Sequence, residues 1–324
     1  MKINYPEIKK ACCYGVGLIG CGCAVDFARN GIDVVMYNDD TRILDDAKER
    51  VEKNFQNLVA SGAISEEKSK AAMDLIQYET ELSVALHGVQ YIQESTPESY
   101  DIKQSVLETI DNYCDENVIV ATSSSALLVS KLASFSKYPT RVICAHPYNP
   151  VHLIPLIEIV GIEGSDEVTQ HVKDFFISIK KEPVILKKEI KGYIGNRLQV
   201  VIGREIVEML ERGICTVEDA DKALTFGPAL RWAIMGHMLN MELGFNGGVK
   251  AMYDKIIVKG SDRSSYLDDM ANWIKYPEDL AEKAQVGVDE EMANRSPEVG
   301  NDKASLIKYR DNMLIEILKL HQKI

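Results

Sequence analysis

KACCYGVGLIG, residues 10–20, is the stretch on which the fold of this chain turns. Its first half is a short apolar run of strand character, and its second half places glycines at 15, 17 and 20. CGCAVDFARNG follows with helical character, and the next strand, IDVVMYN, ends at Asn38. A strand, a Gly-x-Gly-x-x-Gly turn, a helix and a second strand form the β-α-β unit that binds dinucleotides. In that unit Gly15 makes the tight turn, Gly17 lets the backbone approach a pyrophosphate, and Gly20 lets helix and strand pack closely. The helix opens at Ile19, directly after Leu18, so its N-terminus, with unpaired N–H groups and a positive dipole end, faces the phosphates. The second strand of such units commonly ends in an acid that holds the adenine ribose. Here the position is Asn38, followed by Asp39 and Asp40. Two carboxylates there repel a ribose 2′-phosphate, so the expected cofactor is NAD rather than NADP. Arg42 reads as a solvated residue of the following helix.

Outward from this unit, strand-like and helical runs alternate to about residue 190. Charged helical segments are expected at 40–61 and 66–77, then the strand VQYIQES, a helix at 100–114, the strand NVIVATSSS and a short helix at 128–134. RVICAHP and PLIEIVG read as strands, 166–179 as a helix and EPVILK as a last strand. Alternation of this kind specifies a doubly wound, mostly parallel sheet of Rossmann type covered by helices on both faces. From Gly192 the strand-like runs stop. Ile194, Leu198, Val201, Ile202, Ile206 and Met209 recur at helical spacing, and Thr216 with Asp219 reads as a capping box for a further helix. The expected organisation is therefore an α/β NAD-binding domain at 1–190 and an all-helical substrate and dimerisation domain at 191–324.

Composition excludes several function classes. A net charge of −12 argues against nucleic acid or an anionic membrane as partner. No apolar run reaches the ~18–20 residues needed to cross a bilayer. MKINYPEIKK puts charges and a proline before the first apolar run, which reads as the lead into a strand and not as a signal peptide. The seven cysteines read as free, mostly buried thiols of a cytoplasmic, reducing compartment. Cys21-x-Cys23 has no matching Cys or His pair nearby, so no metal site is expected.

AHPYNPVHLIPLIEIVG, residues 145–161, carries the chemistry. Glu158 lies in an apolar strand, and an unpaired carboxylate there would lose several kcal/mol by desolvation. His146, at the end of the preceding strand, is the natural partner. A carboxylate bonded to one ring nitrogen fixes the tautomer and leaves the other nitrogen for a substrate hydroxyl. Base and nicotinamide together imply oxidation of an alcohol. His87, His152, His171, His237 and His321 have no such company and read as structural.

The succession ESTPES, TSSSALL, AHPYNPVHLIPLIEIV and GYIGNRL resembles the 3-hydroxyacyl-CoA dehydrogenase family over nearly the whole chain. The resemblance implies roles residue by residue. His146 would be the general base and Glu158 its support. Ser125 and Asn196 would hydrogen-bond the reacting oxygen. Glu98 and Lys103 would lie near the nicotinamide ribose, and Asn149 beside the nicotinamide. It also implies a homodimer. By local composition Ser125 also reads as a helix cap, Asn196 as a backbone-bonding residue at a helix start and Lys103 as a solvated helix charge.

For the substrate, the turn NLVASGAISEEKSK lacks the lysine cluster that would grip a coenzyme A tail. FGPALRWAIMG and the long C-terminal tail resemble the branch of the family containing L-gulonate 3-dehydrogenase (lambda-crystallin) and L-carnitine dehydrogenase. A small 3-hydroxy acid with a free carboxylate is therefore the expected substrate, with Arg231 able to hold that carboxylate in a bidentate fork. Arg231 also reads as a residue that fixes a helix end. Trp232 beside it reads as a core residue or as a face for a quaternary ammonium. The alternatives are a 3-hydroxyacyl-CoA thioester as substrate, and an NAD-binding structural protein without turnover.

Overall fold

Strand β1 (Lys10–Tyr14) runs through the middle of the sheet, and its Ala11, Cys12 and Cys13 are wholly buried. The computed structural model describes residues 5–244, 246–257, 269–275 and 277–324. After β1 come α1 (Leu18–Arg29), β2 (Asp33–Tyr37), α2 (Thr41–Ala60), α3 (Glu66–Met73), β3 (Ile76–Glu79), α4 (Leu82–Ala85) and β4 (Tyr91–Glu94). They are followed by α5 (Tyr100–Ile110), β5 (Ile119–Thr122), α6 (Val129–Ala133), β6 (Val142–Pro147), β7 (Leu156–Val160), α7 (Asp166–Ser178) and β8 (Glu182–Ile185). The strand order is β3-β2-β1-β4-β5-β6-β7-β8. Its first six strands follow the dinucleotide-binding order, with the switch point beside β1 and β4.

Two features depart from the alternation read in the sequence. The second charged helix ends at Met73, and an edge strand, β3, occupies Ile76–Glu79, part of which was expected to be helical. Four residues show little periodicity of their own, and β3 exists because Val34 to Tyr37 offer it a ladder. In addition, β6 and β7 pair antiparallel. Residues 148–155 join them, and that is too short for the crossover of about a dozen residues a parallel return needs.

Two apolar layers flank the sheet. One gathers Phe27 of α1, Phe55 of α2 and Phe175 and Phe176 of α7, and the other gathers Val106 and Ile110 of α5 and Leu132 of α6. Asp40 caps α2, accepting from the Arg42 N–H at 2.9 Å and from the Arg42 guanidinium, which is otherwise in solvent.

The chain divides into two units, 1–196 together with 310–324, and 197–309. The last fifteen residues thus group with the sheet rather than with the helices that precede them. Ile315 and Leu318 supply the reason, because both are buried in the first apolar layer. The second unit contains most of α8 (Gly195–Glu211), then α9 (Val217–Phe226), α10 (Pro228–Gly244), α11 (Gly248–Ile257), α12 (Leu280–Asn294) and the start of α13 (Lys303–Leu320). Thr216 and Asp219 form the reciprocal cap that their spacing announced. The apolar stripe of α8 does form a helix, and it lies uncovered: α8 buries no residue, and Leu198 is 63% exposed.

Candidate active site

The glycine turn is built by contacts that only glycine permits. Gly15 has φ +95°, and a Cβ there would stand 2.7 Å from the Ser95 carbonyl carbon. A Cβ on Gly20 would stand 2.0 Å from the Gly15 oxygen, so helix and turn touch along their backbones. Gly17 differs, since a Cβ there meets nothing within 4 Å. It is the N-cap of α1 and provides no side-chain cap. Leu18 beside it is 63% exposed, and Ile19 is half-buried. Open N–H groups at a helix N-terminus, with space in front of them, fit a pyrophosphate. At the end of β2 the Asn38 Oδ1 accepts from the Asp40 N–H at 3.0 Å, which leaves the Asn38 amide donors for a ribose. Asp39 is exposed at the same edge.

His146 and Glu158 are directly opposite one another in the β6–β7 ladder. Side chains so placed share one face and stand in contact. The His146 Nδ1 lies 2.9 Å from Glu158 Oε2, and both residues are buried. Glu158 Oε1 accepts from the N–H groups of Ile194 at 2.8 Å and Gly195 at 2.9 Å. Burial alone would push the Glu158 carboxyl up. The hydrogen bonds from His146 and from the two backbone N–H groups outweigh it and hold the pKa below the usual carboxylate value. A carboxylate that stays ionised keeps Nδ1 as the donor. His146 Nε2 then has a free lone pair, with no protein partner among the described residues. Tyr193, itself buried, covers the imidazole at 5.1 Å between ring centres.

The other expected residues each have surroundings of their own. Asn196 follows the two N–H groups bound by Glu158, and its Oδ1 accepts from the Tyr148 hydroxyl at 2.8 Å. Ser125 lies just beyond β5, next to β6 in the sheet. Its N–H and that of Ala126 donate to Glu98 Oε1 at 3.0 and 2.9 Å, and the Ser124 hydroxyl donates to the same oxygen at 2.6 Å. The local cap is Ser124, which accepts from the Leu127 N–H at 2.9 Å. Ser125 therefore keeps a half-buried hydroxyl that caps no helix.

Lys103 is not a solvated helix charge. It is 1% exposed, and its ammonium donates to both Glu94 oxygens at 2.9 Å and to the Thr96 carbonyl at 3.0 Å, with Glu98 Oε2 4.0 Å away. Its three donors are thus engaged beneath the loop carrying Glu98. Asn149 is exposed on the loop between β6 and β7. Arg231 belongs to the second unit, exposed on α10.

Sequence reasoning passed over Glu94, Tyr148 and Tyr193. Glu94 carried a signal, an acid at the end of a buried strand four residues before Glu98. The two tyrosines carried none, because the sequence does not say which group an aromatic side chain meets in the fold. All seven cysteines are free, and six of them are buried. Among the described residues no cluster of metal-ligating side chains occurs, and no helix is long and apolar enough to cross a membrane.

Comparison with known proteins identifies the family. Residues 10–190 match the model for the NAD binding domain of 3-hydroxyacyl-CoA dehydrogenase, and residues 192–284 match that for its C-terminal domain. An L-carnitine dehydrogenase of Oceanobacillus iheyensis is 35% identical over 76% of this chain and 80% of its own. Lambda-crystallin of Oryctolagus cuniculus is 34% identical over 72% of this chain and 74% of its own. Among solved structures, 5-formyl-3-hydroxy-2-methylpyridine 4-carboxylic acid 5-dehydrogenase, described as an NAD+-dependent dismutase, superposes with a TM-score of 0.80 at 25% identity, covering 98% of this chain and 99% of that one. With both family models matched in succession and a Rossmann-type sheet leading into helices, the chain belongs to the 3-hydroxyacyl-CoA dehydrogenase family, and it is an NAD-dependent oxidoreductase acting on a CH–OH group.

Proposed function

We propose that this protein oxidises the 3-hydroxyl of a small 3-hydroxy acid, L-carnitine- or L-gulonate-like, to the ketone, with His146 and Glu158 as its base dyad. The observation that carries the dyad is the 2.9 Å bond from His146 to a buried carboxylate whose other oxygen is saturated by two backbone N–H groups. That anchoring makes Nδ1 the donor and Nε2 the atom that takes the hydroxyl proton. Glu158 then balances the charge of the imidazolium. Ser125 Oγ and the Asn196 amide donate to the oxygen as it gains carbonyl character. NAD, when bound, supplies the acceptor for the hydride leaving the same carbon. Gly15, Gly17, Leu18, Ile19 and Gly20 would hold its pyrophosphate, Asn38 and Asp39 its adenine ribose, and Glu98 and Asn149 its nicotinamide end. Lys103 acts from below, by fixing Glu98 and Thr96.

The small-acid assignment is supported by the relatives named L-carnitine dehydrogenase and by Arg231, whose fork matches a free carboxylate. The exposed apolar residues of α8, Leu198, Val200 and Val201 among them, support a homodimer, since isolated protomers rarely leave a helix so uncovered. Seven free cysteines support a cytoplasmic setting.

The test is NADH formation with L-carnitine, L-gulonate and (S)-3-hydroxybutyryl-CoA, each with NAD. Turnover of a free acid and none of the thioester is the expected result. Preference for the thioester would overturn the substrate while leaving the dyad standing. NAD binding without turnover of any of them would favour a structural role.

A further inference from the structure

The side chain that engages Asn196 is a tyrosine, Tyr148, which takes no direct part in the proton or hydride transfer. The Tyr148 hydroxyl donates to Asn196 Oδ1 at 2.8 Å. Its ring stands edge-on to His146 with centroids 5.5 Å apart. The space it occupies exists because residue 195 has no side chain. A Cβ at Gly195 would lie 2.5 Å from the Tyr148 hydroxyl oxygen and 2.8 Å from its Cζ and Cε2. Gly195 has no positive φ to explain it, so the glycine answers to the close approach of the phenol. Burial and the nearby Glu158 charge push the Tyr148 hydroxyl pKa up, so the phenol remains a donor.

We propose that Tyr148 is a positioning residue of the dehydrogenase site: its hydroxyl, admitted beside the start of α8 by Gly195, holds the Asn196 amide with its Nδ2 donors turned to the reacting oxygen. This rests on the role given to Asn196 above. A primary amide has one accepting and one donating end. Flipped, it would set an oxygen lone pair against the substrate oxygen and oppose the developing negative charge. The phenol has no other bonded acceptor among the described residues. Accepting from Asn196 instead would leave its own proton unpaired in a half-buried position. Donation to Oδ1 is therefore the favoured state, and it orients the amide.

The experiment is a double-mutant cycle of Tyr148→Phe and Asn196→Ala on the full chain, read as kcat, KM for NAD and thermal unfolding. The free 3-hydroxy acid turned over fastest by the wild type serves as substrate. Tyr148→Phe should lower kcat about tenfold, the scale of one lost hydrogen bond, with KM for NAD and Tm unchanged. Asn196→Ala should lower kcat about a hundredfold. The double variant should match Asn196→Ala, because the tyrosine acts through the amide. Gly195→Ala, which evicts the phenol, should reproduce the kcat loss. A wild-type kcat in Tyr148→Phe, or losses that multiply in the double variant, would overturn the proposal while leaving Asn196 in place. A fall in Tm and a rise in KM without a change in kcat would make Tyr148 merely structural. A wild-type kcat in Asn196→Ala, or an inert wild type, would instead overturn the functional reading on which the proposal depends.

Discussion

Replacing Glu158 by glutamine tests the dyad most sharply, because the surroundings decide which way the new amide must point. The carboxylate receives three hydrogen bonds, from Ile194 and Gly195 on Oε1 and from His146 on Oε2. An amide has one oxygen. Two backbone donors at 2.8 and 2.9 Å claim it, since the opposite rotamer would set an NH2 group against two N–H groups. The glutamine NH2 therefore faces His146, and Nδ1 must accept. The proton moves to Nε2, the atom required as base. Loss of a correctly protonated general base corresponds to about 10³-fold in kcat, or ~4 kcal/mol of barrier. Stability changes less. The two backbone hydrogen bonds lose their charge assistance, at roughly 1 kcal/mol each, the His146 bond is remade as a neutral one in the opposite direction, and the lower desolvation of a neutral group offsets part of the loss. The predicted outcome is a folded Glu158→Gln variant with unchanged NAD affinity by fluorescence titration, a Tm lower by no more than about 8 °C, and kcat near the floor of the NADH assay. A kcat within about tenfold of wild type, with the fold intact, would refute the tautomer argument and leave Glu158 as a buried structural anchor.

Other outcomes follow from the same geometry. His146→Ala should abolish turnover and spare NAD binding; measurable wild-type rates in a folded variant would remove His146 from the mechanism. Gly17→Ala and Gly20→Ala should separate binding from folding. At Gly17 a Cβ meets nothing within 4 Å, so that variant should fold with only a small capping loss, ~1 kcal/mol, yet bind NAD at least tenfold more weakly. At Gly20 a Cβ would fall 2.0 Å from the Gly15 oxygen, so urea unfolding should show a loss of several kcal/mol; equal stability of the two variants would contradict this. His152 is buried, and burial first, then the Arg29 charge, lower its pKa from 6.5 to about 4. The unfolded chain takes up that proton at higher pH than the folded one. The contribution is thus complete above pH 6.5 and declines as pH falls to about 4, reaching ~3 kcal/mol. His152→Gln should flatten urea-unfolding stability over that window, and an unchanged pH slope would show that the imidazole does not carry it.

Much of the fold was legible because its signals are local. The three glycines, the apolar run before them and the helical period after them lie within a few turns of chain, and each reports a steric requirement of its own backbone. The cap of Thr216 by Asp219 spans three residues, and the structure contains it. The edge strand β3 was not legible, because four residues become a strand only when β2 lends them hydrogen bonds. The apolar stripe of α8 was legible as a helix, but not what covers it, since periodicity reports which face is apolar and nothing about its neighbours. Ile315 and Leu318 could not be assigned to the sheet unit from spacing alone, because a helical stripe does not name its partner.

At the site the division falls in the same place. By itself the sequence determined a βαβ dinucleotide unit, a helical second half, and a buried carboxylate twelve residues from a histidine that had to be paired. Tertiary structure alone decided that the two face each other across an antiparallel ladder, that the other carboxylate oxygen binds the backbone at the start of α8, and that Lys103 is held under Glu98 by Glu94. It also decided that Gly195 makes room for Tyr148. The physical reason is one of range. Turns, caps and periodicity are settled among neighbours in the chain, whereas register, burial and the direction of a hydrogen bond are settled among groups that only the folded backbone brings within 3 Å.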